Sequence, residues 1–223
     1  MTMPQRQGKY TILLPTRPAI TGNAAAVGKK EGEGPLKNEF DKIYKDEFIG
    51  METFEKAETE LQKTAISKAL EKAGETAENV NLAFAGDLLN QCIGSSFNMR
   101  ELGIPFAGLY GACSTMALSL ALASTLVDSG ALGLSVAATS SHFCSAERQY
   151  RFPLEYGGQR SPAAQWTVTG AGAAVIKGNT QNAPRIDAVI FGKVRDLGVT
   201  DQNNMGAAMA PVSVKLRPYP VRK

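Results

Sequence analysis

The segment from Met116 to Asp128 constrains the fold more than any other part of the sequence. It carries Ala, Leu and Ser around the whole circumference of a helix and has no polar stripe, which is the pattern of a helix that is buried on every side. The segment is too short to cross a bilayer and contains Ser119 and Ser124, so protein must cover it. We therefore predict a buried central helix enclosed by layers of other secondary structure.

Short apolar runs alternate with helical patterns on both sides of this segment. Apolar residues spaced by three or four predict an amphipathic helix from Thr53 that stops at Gly74, and a second helix over Ser95–Leu102. The predicted strands are Tyr10–Leu14, Val80–Phe84, Phe106–Tyr110, Leu132–Thr139, Val168–Ile176 and Ile186–Val194. This alternation predicts a layered α/β fold with a mixed, mainly parallel sheet, in which the last two strands form an antiparallel hairpin at the edge.

Composition excludes several classes of protein. With 43% hydrophobic and 20% charged residues in 223, the chain is neither disordered nor collagen-like nor a coiled coil. The polar start, residues 1–7, lacks the apolar core of a secretory signal. A cytosolic location is therefore the default expectation.

The distribution of charge and of cysteine narrows the function further. The net charge of +3 comes from basic residues among the last nine, and residues 1–214 carry −1, so the body of the protein has no nucleic-acid signature. Three cysteines and one histidine form neither a disulfide framework nor a metal-ligand pattern. Any cysteine chemistry is predicted to be thiol chemistry, and no metal or cofactor is expected.

Three polar residues stand where predicted strands end: Asp87, Cys113 and His142. A thiol at the first turn of a long helix meets unpaired backbone amides, which favour the nucleophilic thiolate. Each residue also has a plainer interpretation. Cys113 could be a small buried side chain, Asp87 could cap the next helix, and His142 could be a structural histidine. Their shared position at strand ends favours a common site; Cys92 and Cys144 are interpreted as structural.

Residues 143–166 show no clear periodicity and are predicted to form a long ordered loop. Guanidinium groups in such a loop could bind a carboxylate ligand, although most charged loop residues are simply solvated. The charged residues of this loop are Glu147, Arg148, Arg151, Glu155 and Arg160, and the three arginines carry the guanidinium groups.

Several motifs together closely resemble the stage V sporulation protein AD family, thiolase-like proteins of spore-forming Firmicutes. The resemblance runs from the glycine-rich loop at residues 28–35 through Pro211. It is carried by FAGDLLNQ (84–91), GACST (111–115), ATSSH (138–142), AERQ (146–149), YGG (156–158), TVTG (167–170) and MGAAMAP (205–211).

The resemblance implies a thiolase-like fold, with Cys113 at the position of the thiolase and ketoacyl-synthase nucleophile. It implies binding of dipicolinic acid, the pyridine dicarboxylate stored in spores with calcium, in a pocket that includes Asp87, Cys113, Ser114 and His142. The implied partners are membrane proteins of the same sporulation operon and a second copy of the chain. The implied location is the cytoplasmic side of the forespore or spore inner membrane, as a peripheral protein.

Two other functions stay open at this point. The chain could be an acyltransferase or ketoacyl-synthase-like enzyme with Cys113 as nucleophile, or a truncated product without function. Related condensing enzymes complete their site with histidines, or a histidine and an asparagine, from a second half. The chain has one histidine, His142, in the first half, and this disfavours condensing activity.

We divide the chain at two positions. Residues 1–52 form an N-terminal strand and loop segment, residues 53–211 the thiolase-like half, and residues 212–223 a divergent basic tail. Pro218 and Pro220 cannot lie within a normal helix, whereas the family continues into a helix there. We therefore expect the second half of the fold to be missing and its contact surface to be exposed.

Overall fold

The computed structural model describes residues 3–150 and 167–210, apart from positions 179, 181, 195, 202, 203, 205 and 208, and leaves the side chains of 147–150 undescribed. Residues 1–158 and 167–191 form one compact unit, and the remaining residues form a second. Both sheets and all five helices named below belong to the first unit. Of the predicted loop, 143–150 is helical, while Arg151, Glu155 and Arg160 lie outside the described residues.

The chain alternates strands and helices as the sequence predicts. The strands are β1 (Gln5–Gln7), β2 (Thr11–Leu13), β3 (Ala19–Val27), β4 (Lys42–Ile43), β5 (Leu82–Gly86), β6 (Phe106–Gly108), β7 (Leu134–Ser141), β8 (Gly170–Lys177) and β9 (Ala188–Ile190). The helices are α1 (Lys29–Gly32), α2 (Phe54–Ala73), α3 (Ile93–Leu102), α4 (Thr115–Asp128) and α5 (Phe143–Tyr150). None of the helices in the described ranges is long and apolar enough to span a membrane.

The main sheet has six strands in the order β4-β3-β8-β7-β5-β6. Neighbours β4/β3, β7/β5 and β5/β6 are parallel, whereas β8 runs antiparallel to both β3 and β7. The predicted hairpin at the sheet edge is wrong. Strand β8 lies inside the sheet, and β9 pairs with β2 in a separate three-stranded sheet. The small residues of β8 suit a strand covered on both faces, and the turn after Lys177 leads the chain back to β3, where Ile20 N donates to Pro184 O.

Helix α2 begins and ends where the sequence indicates. Thr53 Oγ1 accepts a hydrogen bond from Lys56 N, and Gly74 closes the helix in the left-handed conformation at φ 66°. Its apolar stripe packs on one face of the sheet, while α4 packs on the other. Successive side chains of β7 point to opposite faces of the sheet, since Val136 packs in the core beneath α2 and Ala137 packs in the core beneath α4.

The prediction that the segment Met116–Asp128 is buried on every side is only half right. Ala123, Ser124 and Val127 are buried, but Met116 and Leu120 are only partly covered. In the described residues one face of α4 packs on the sheet, and Ala121 packs on the small sheet that contains β2 and β9. The predicted strand Phe106–Tyr110 forms as β6, which lies at the edge of the main sheet and is only partly buried.

Gly22 lets α2 approach the sheet, and we expect its replacement to cost stability. A Cβ at this position would lie 2.2 Å from Ala69 O and 2.8 Å from Ala73 N, both backbone atoms of α2. We predict that Gly22→Ala destabilises the chain by about 2 kcal/mol because α2 must shift, as measured by urea unfolding. The matched control is Gly172→Ala on β8, where the added Cβ meets nothing within 4 Å. Equal stability of the two variants would contradict this explanation.

Candidate functional site

The carboxyl ends of β5, β6 and β7 lie side by side at one edge of the sheet. These strands are parallel, and Gly86 at the end of β5 is opposite Thr139 in β7. Asp87 follows β5 directly, His142 follows β7 directly, and Cys113 comes shortly after β6. The three residues therefore follow strands whose carboxyl ends meet at one edge of the sheet, and their role as a site stays a prediction.

Cys113 and Ser114 are exposed in the turn that leads into α4. Ser114 Oγ donates to Gly111 O at 2.7 Å, and Thr115 Oγ1 donates to Ala112 O at 2.8 Å. Ala112 has a φ of 46°, which an alanine seldom adopts. The turn thus holds an exposed thiol and hydroxyl at the positive end of a long helix, where an anion is favoured.

Asp87 is buried and serves the start of α3. Its Oδ1 accepts from Leu89 N at 2.9 Å, and its Oδ2 accepts from Ser95 N at 2.7 Å and from Ser95 Oγ at 2.6 Å. With 1% of its surface exposed, the carboxylate fixes the loop that enters α3. This geometry fits the capping interpretation of Asp87, and contact with a ligand remains a prediction.

His142 is completely buried, and both of its ring nitrogens have partners. Nε2 lies 2.9 Å from Glu47 O, and Cys144 N donates to Nδ1 at 3.2 Å. A carbonyl can only accept and an amide N–H can only donate, so Nε2 carries the proton and the ring is neutral. Burial lowers the pKa of His142. Stacking on Phe143 and contact with Phe54 complete the surroundings of the ring.

A buried polar network that the sequence analysis missed lies beneath these residues. From α2, Gln62 Nε2 donates to Ser95 Oγ at 2.9 Å and to Ser140 Oγ at 3.2 Å. Each serine in turn donates to an acidic side chain: Ser95 to Asp87 Oδ2, and Ser140 to Glu58 Oε1 at 3.2 Å. Gln62 therefore orients two hydroxyl groups toward two different carboxyl groups.

Glu58 is the most perturbed carboxyl group of this network. None of its surface is exposed, and Ser145 Oγ of α5 lies 2.7 Å from its Oε2. Burial, with a contribution from the nearby charge of Asp87, raises the pKa of Glu58 to about 8. The group is therefore protonated at neutral pH. A sequence signal existed, since Glu58 and Gln62 stand among the apolar positions of α2 at helical spacing.

The other candidates contribute little in the described part of the chain. Cys92 is buried and donates through its thiol to Leu109 O, and burial raises its pKa. Cys144 is partly buried. Across the described ranges, no cluster of His, Cys, Asp and Glu could hold a metal ion. Arg148 lies in α5 with an undescribed side chain, so the choice among the loop arginines stays a prediction.

A cavity of about 580 Å³ is lined by residues of β3 and β8 and by Met116 and Leu120 of α4. Its lining also includes the Asp41–Lys72 ion pair. None of the four predicted site residues lines it. Of the predicted site residues, Cys113 and Ser114 lie on the open surface at the start of α4, and Asp87 and His142 are buried behind them with the polar network.

Comparison with known proteins identifies relatives of this chain. The family model described as Stage V sporulation protein AD matches residues 8–217. Stage V sporulation protein AD of Bacillus subtilis (strain 168) is 44% identical over 206 residues, which is 92% of this chain and 61% of that protein. The chain thus spans about three fifths of the curated relative it matches.

Solved structures share the fold at low sequence identity. A single-residue variant of OleA from Xanthomonas campestris, bound with cerulenin, gives a TM-score of 0.52 at 16% identity, covering 76% of this chain and 60% of that chain. A cerulenin co-crystal of the same organism's OleA gives 0.51, again at 16% identity, with the same coverage. These likenesses confirm the predicted α/β, thiolase-like fold.

Proposed function

Since the chain belongs to the stage V sporulation protein AD family, we propose that it binds dipicolinic acid and acts in its uptake into the developing spore. The family assignment is the observation that carries the proposal. The ligand offers two carboxylates on an aromatic ring. A site at the end of a sheet suits such a molecule when backbone amides at a helix N-terminus and a few polar side chains can bind its carboxylates.

The turn at the start of α4 is the part of this chain best suited to meet one carboxylate. Cys113 and Ser114 are exposed there, and the positive end of α4 favours a negative group. Contact by Asp87 or His142 requires the residues that cover them to move, because both are buried with their hydrogen-bonding groups engaged. We therefore assign direct contact to Cys113 and Ser114, and assign to Asp87 and His142 the support of the adjoining loops.

The placement of His142 also supports binding over acyl transfer within this chain. Proton transfer to or from a nucleophilic thiol needs an acid–base group with a free nitrogen. Both ring nitrogens of His142, the one histidine in the sequence, are already hydrogen-bonded, to Glu47 O and to the amide of Cys144. Cys113 is exposed and has no such partner among the described residues, which suits a ligand contact better than a condensing step.

Location and assembly follow from the same proposal. We place the protein at the cytoplasmic side of the forespore membrane, as a peripheral component that works with membrane proteins of its operon and forms a homodimer. Calcium accompanies the ligand as cargo on this proposal and does not belong to a site in the protein.

Calorimetric titration of dipicolinate into the chain tests the binding site. We expect Cys113→Ala and Ser114→Ala each to weaken binding at least about tenfold, since each removes a polar contact worth about 1.4 kcal/mol. The matched control is Ser129→Ala at the opposite end of α4, which should bind like wild type. Benzene-1,3-dicarboxylate, which lacks the ring nitrogen, tests recognition of the pyridine. Absence of binding by wild type, or unchanged affinity in both site variants, would refute the assignment.

A further inference from the structure

The Glu58 carboxyl joins three elements that are distant in the sequence. It projects from α2, accepts from Ser140 Oγ in β7, lies within hydrogen-bonding distance of Ser145 Oγ in the first turn of α5, and has no exposed surface. It is the member of the buried network that α2 presents directly to α5. The first turn of α5 begins at Phe143, beside His142, so this contact lies behind the candidate site.

We propose that Glu58 is a positioning residue that acts as a proton-operated latch: the neutral carboxyl holds α5 against α2, and loss of its proton favours opening of α5. The inference goes beyond the proposed function, since it concerns the movement of α5 whether or not a ligand binds.

The geometry gives the Ser145 hydroxyl two alternative acceptors. Its Oγ lies 2.7 Å from Glu58 Oε2 and 3.2 Å from His142 O. With the proton on Glu58 Oε2, the acid donates to Ser145 Oγ, and Ser145 donates to the His142 carbonyl. When the proton leaves to solvent, Ser145 must donate to the carboxylate, and the negative charge stays buried. Opening of α5 then lets water reach that charge, which relieves the cost of burial.

Burial and the surrounding acidic charges raise the pKa of Glu58 and outweigh the hydrogen bonds from Ser145 and Ser140, which lower it. Asp87, at the end of β5, and Glu55, one turn earlier on α2, both raise the pKa of Glu58 together with burial, which is the largest cause. The neighbouring polar groups Ser95 and Asn98 of α3 are uncharged, and the His142 ring is neutral. Among the described side chains none of the groups that contact Glu58 is a cation.

Proton linkage predicts how the opening of α5 depends on pH. The closed form releases its Glu58 proton near pH 8 and the open form near the ordinary value of 4.5. The open population should therefore rise about tenfold per pH unit between these limits and level off above pH 8. Amide hydrogen exchange of Ala146, whose N–H donates to His142 O, measures this population after correction for the intrinsic rate.

The variants separate a proton latch from a merely structural contact. Glu58→Gln keeps the shape and hydrogen bonds of the neutral acid, so we expect α5 to stay protected with no slope against pH. Glu58→Ala should expose the α5 amides equally at every pH. Glu71→Gln, which removes an exposed carboxyl of α2, should behave as wild type.

Amides inside α4, followed in the same sample, distinguish local opening from global unfolding. Both regions should show the same slope, because Glu58 is exposed in the globally unfolded chain as well, and the latch predicts a smaller opening free energy in α5 than in α4 at every pH. A wild-type chain with no slope, a slope that survives in Glu58→Gln, or equal opening free energies in α4 and α5 would each overturn the proposal. Ser145→Ala, which leaves Glu58 in place and breaks its link to α5, should raise the exchange of Ala146 at pH 6; unchanged exchange would also count against it.

Discussion

Replacing Glu58 with glutamine is expected to stabilise the chain, and the gain should grow as the pH rises from 5 to 9. The pKa of Glu58 is raised from 4.5 to about 8 on folding, so the folded chain holds a proton that the unfolded chain has already lost. Stability from this group is fully present below pH 4.5 and is lost as the pH rises through 8. The full cost of ionisation is on the order of 5 kcal/mol.

Glutamine cannot ionise and keeps the size and hydrogen-bonding pattern of the neutral acid. We expect urea unfolding to give nearly equal free energies for wild type and Glu58→Gln at pH 5, and a variant more stable by several kcal/mol, on the order of the ionisation cost, at pH 9. Glu52→Gln is the control, because Glu52 is exposed and pairs with Lys56 at the surface. A constant difference between wild type and Glu58→Gln from pH 5 to pH 9 would contradict the expected coupling.

Local sequence signals predicted helices α2, α3 and α4 and the carboxyl ends of β5 and β7 well, but they missed α1 and α5. The N-cap Thr53 and the helix-ending Gly74 are local sequence signals, and the ends of the short apolar runs predict the strand ends before Asp87 and His142. Strand β3 was not predicted because its Ala, Gly and Asn have low β propensity. It forms because these small residues let α2 and the neighbouring strand approach closely, which is a property of the assembled layers.

The environment of the site residues was less predictable than their position. Burial of His142 depends on Glu47, which is distant in the sequence, and on Phe54 of another helix. Glu58 could have been noticed as an acid on an apolar stripe, but its serine partners come from β7 and α5. Strand order decides these contacts, and a pattern of hydrophobicity does not specify the order in which strands pair.

Replacing His142 with alanine should destabilise the chain by about 3 kcal/mol, because it empties a buried aromatic site and leaves Glu47 O and the Cys144 amide without their partner. Burial lowers the pKa of His142 below its ordinary 6.5. The stability from the neutral ring is therefore present above pH 6.5 and is lost as the pH falls below that value. The change of unfolding free energy with pH that His142 causes is therefore opposite in sign to the one that Glu58 causes.

Urea unfolding of His142→Ala and His142→Asn in the Glu58→Gln background measures the pH dependence due to His142 without the contribution of Glu58. Asparagine can still accept from the Cys144 amide through its side-chain oxygen, so we expect His142→Asn to recover part of the lost free energy of unfolding. Neither variant has a group at this position that titrates, so neither should lose stability between pH 6.5 and pH 5 as the parent does. Cys113→Ala, at an exposed position, should unfold like the parent. If His142→Ala stayed within about 0.5 kcal/mol of the parent, the imidazole would be free to serve as a ligand contact, and our assignment of His142 to a supporting role would be wrong.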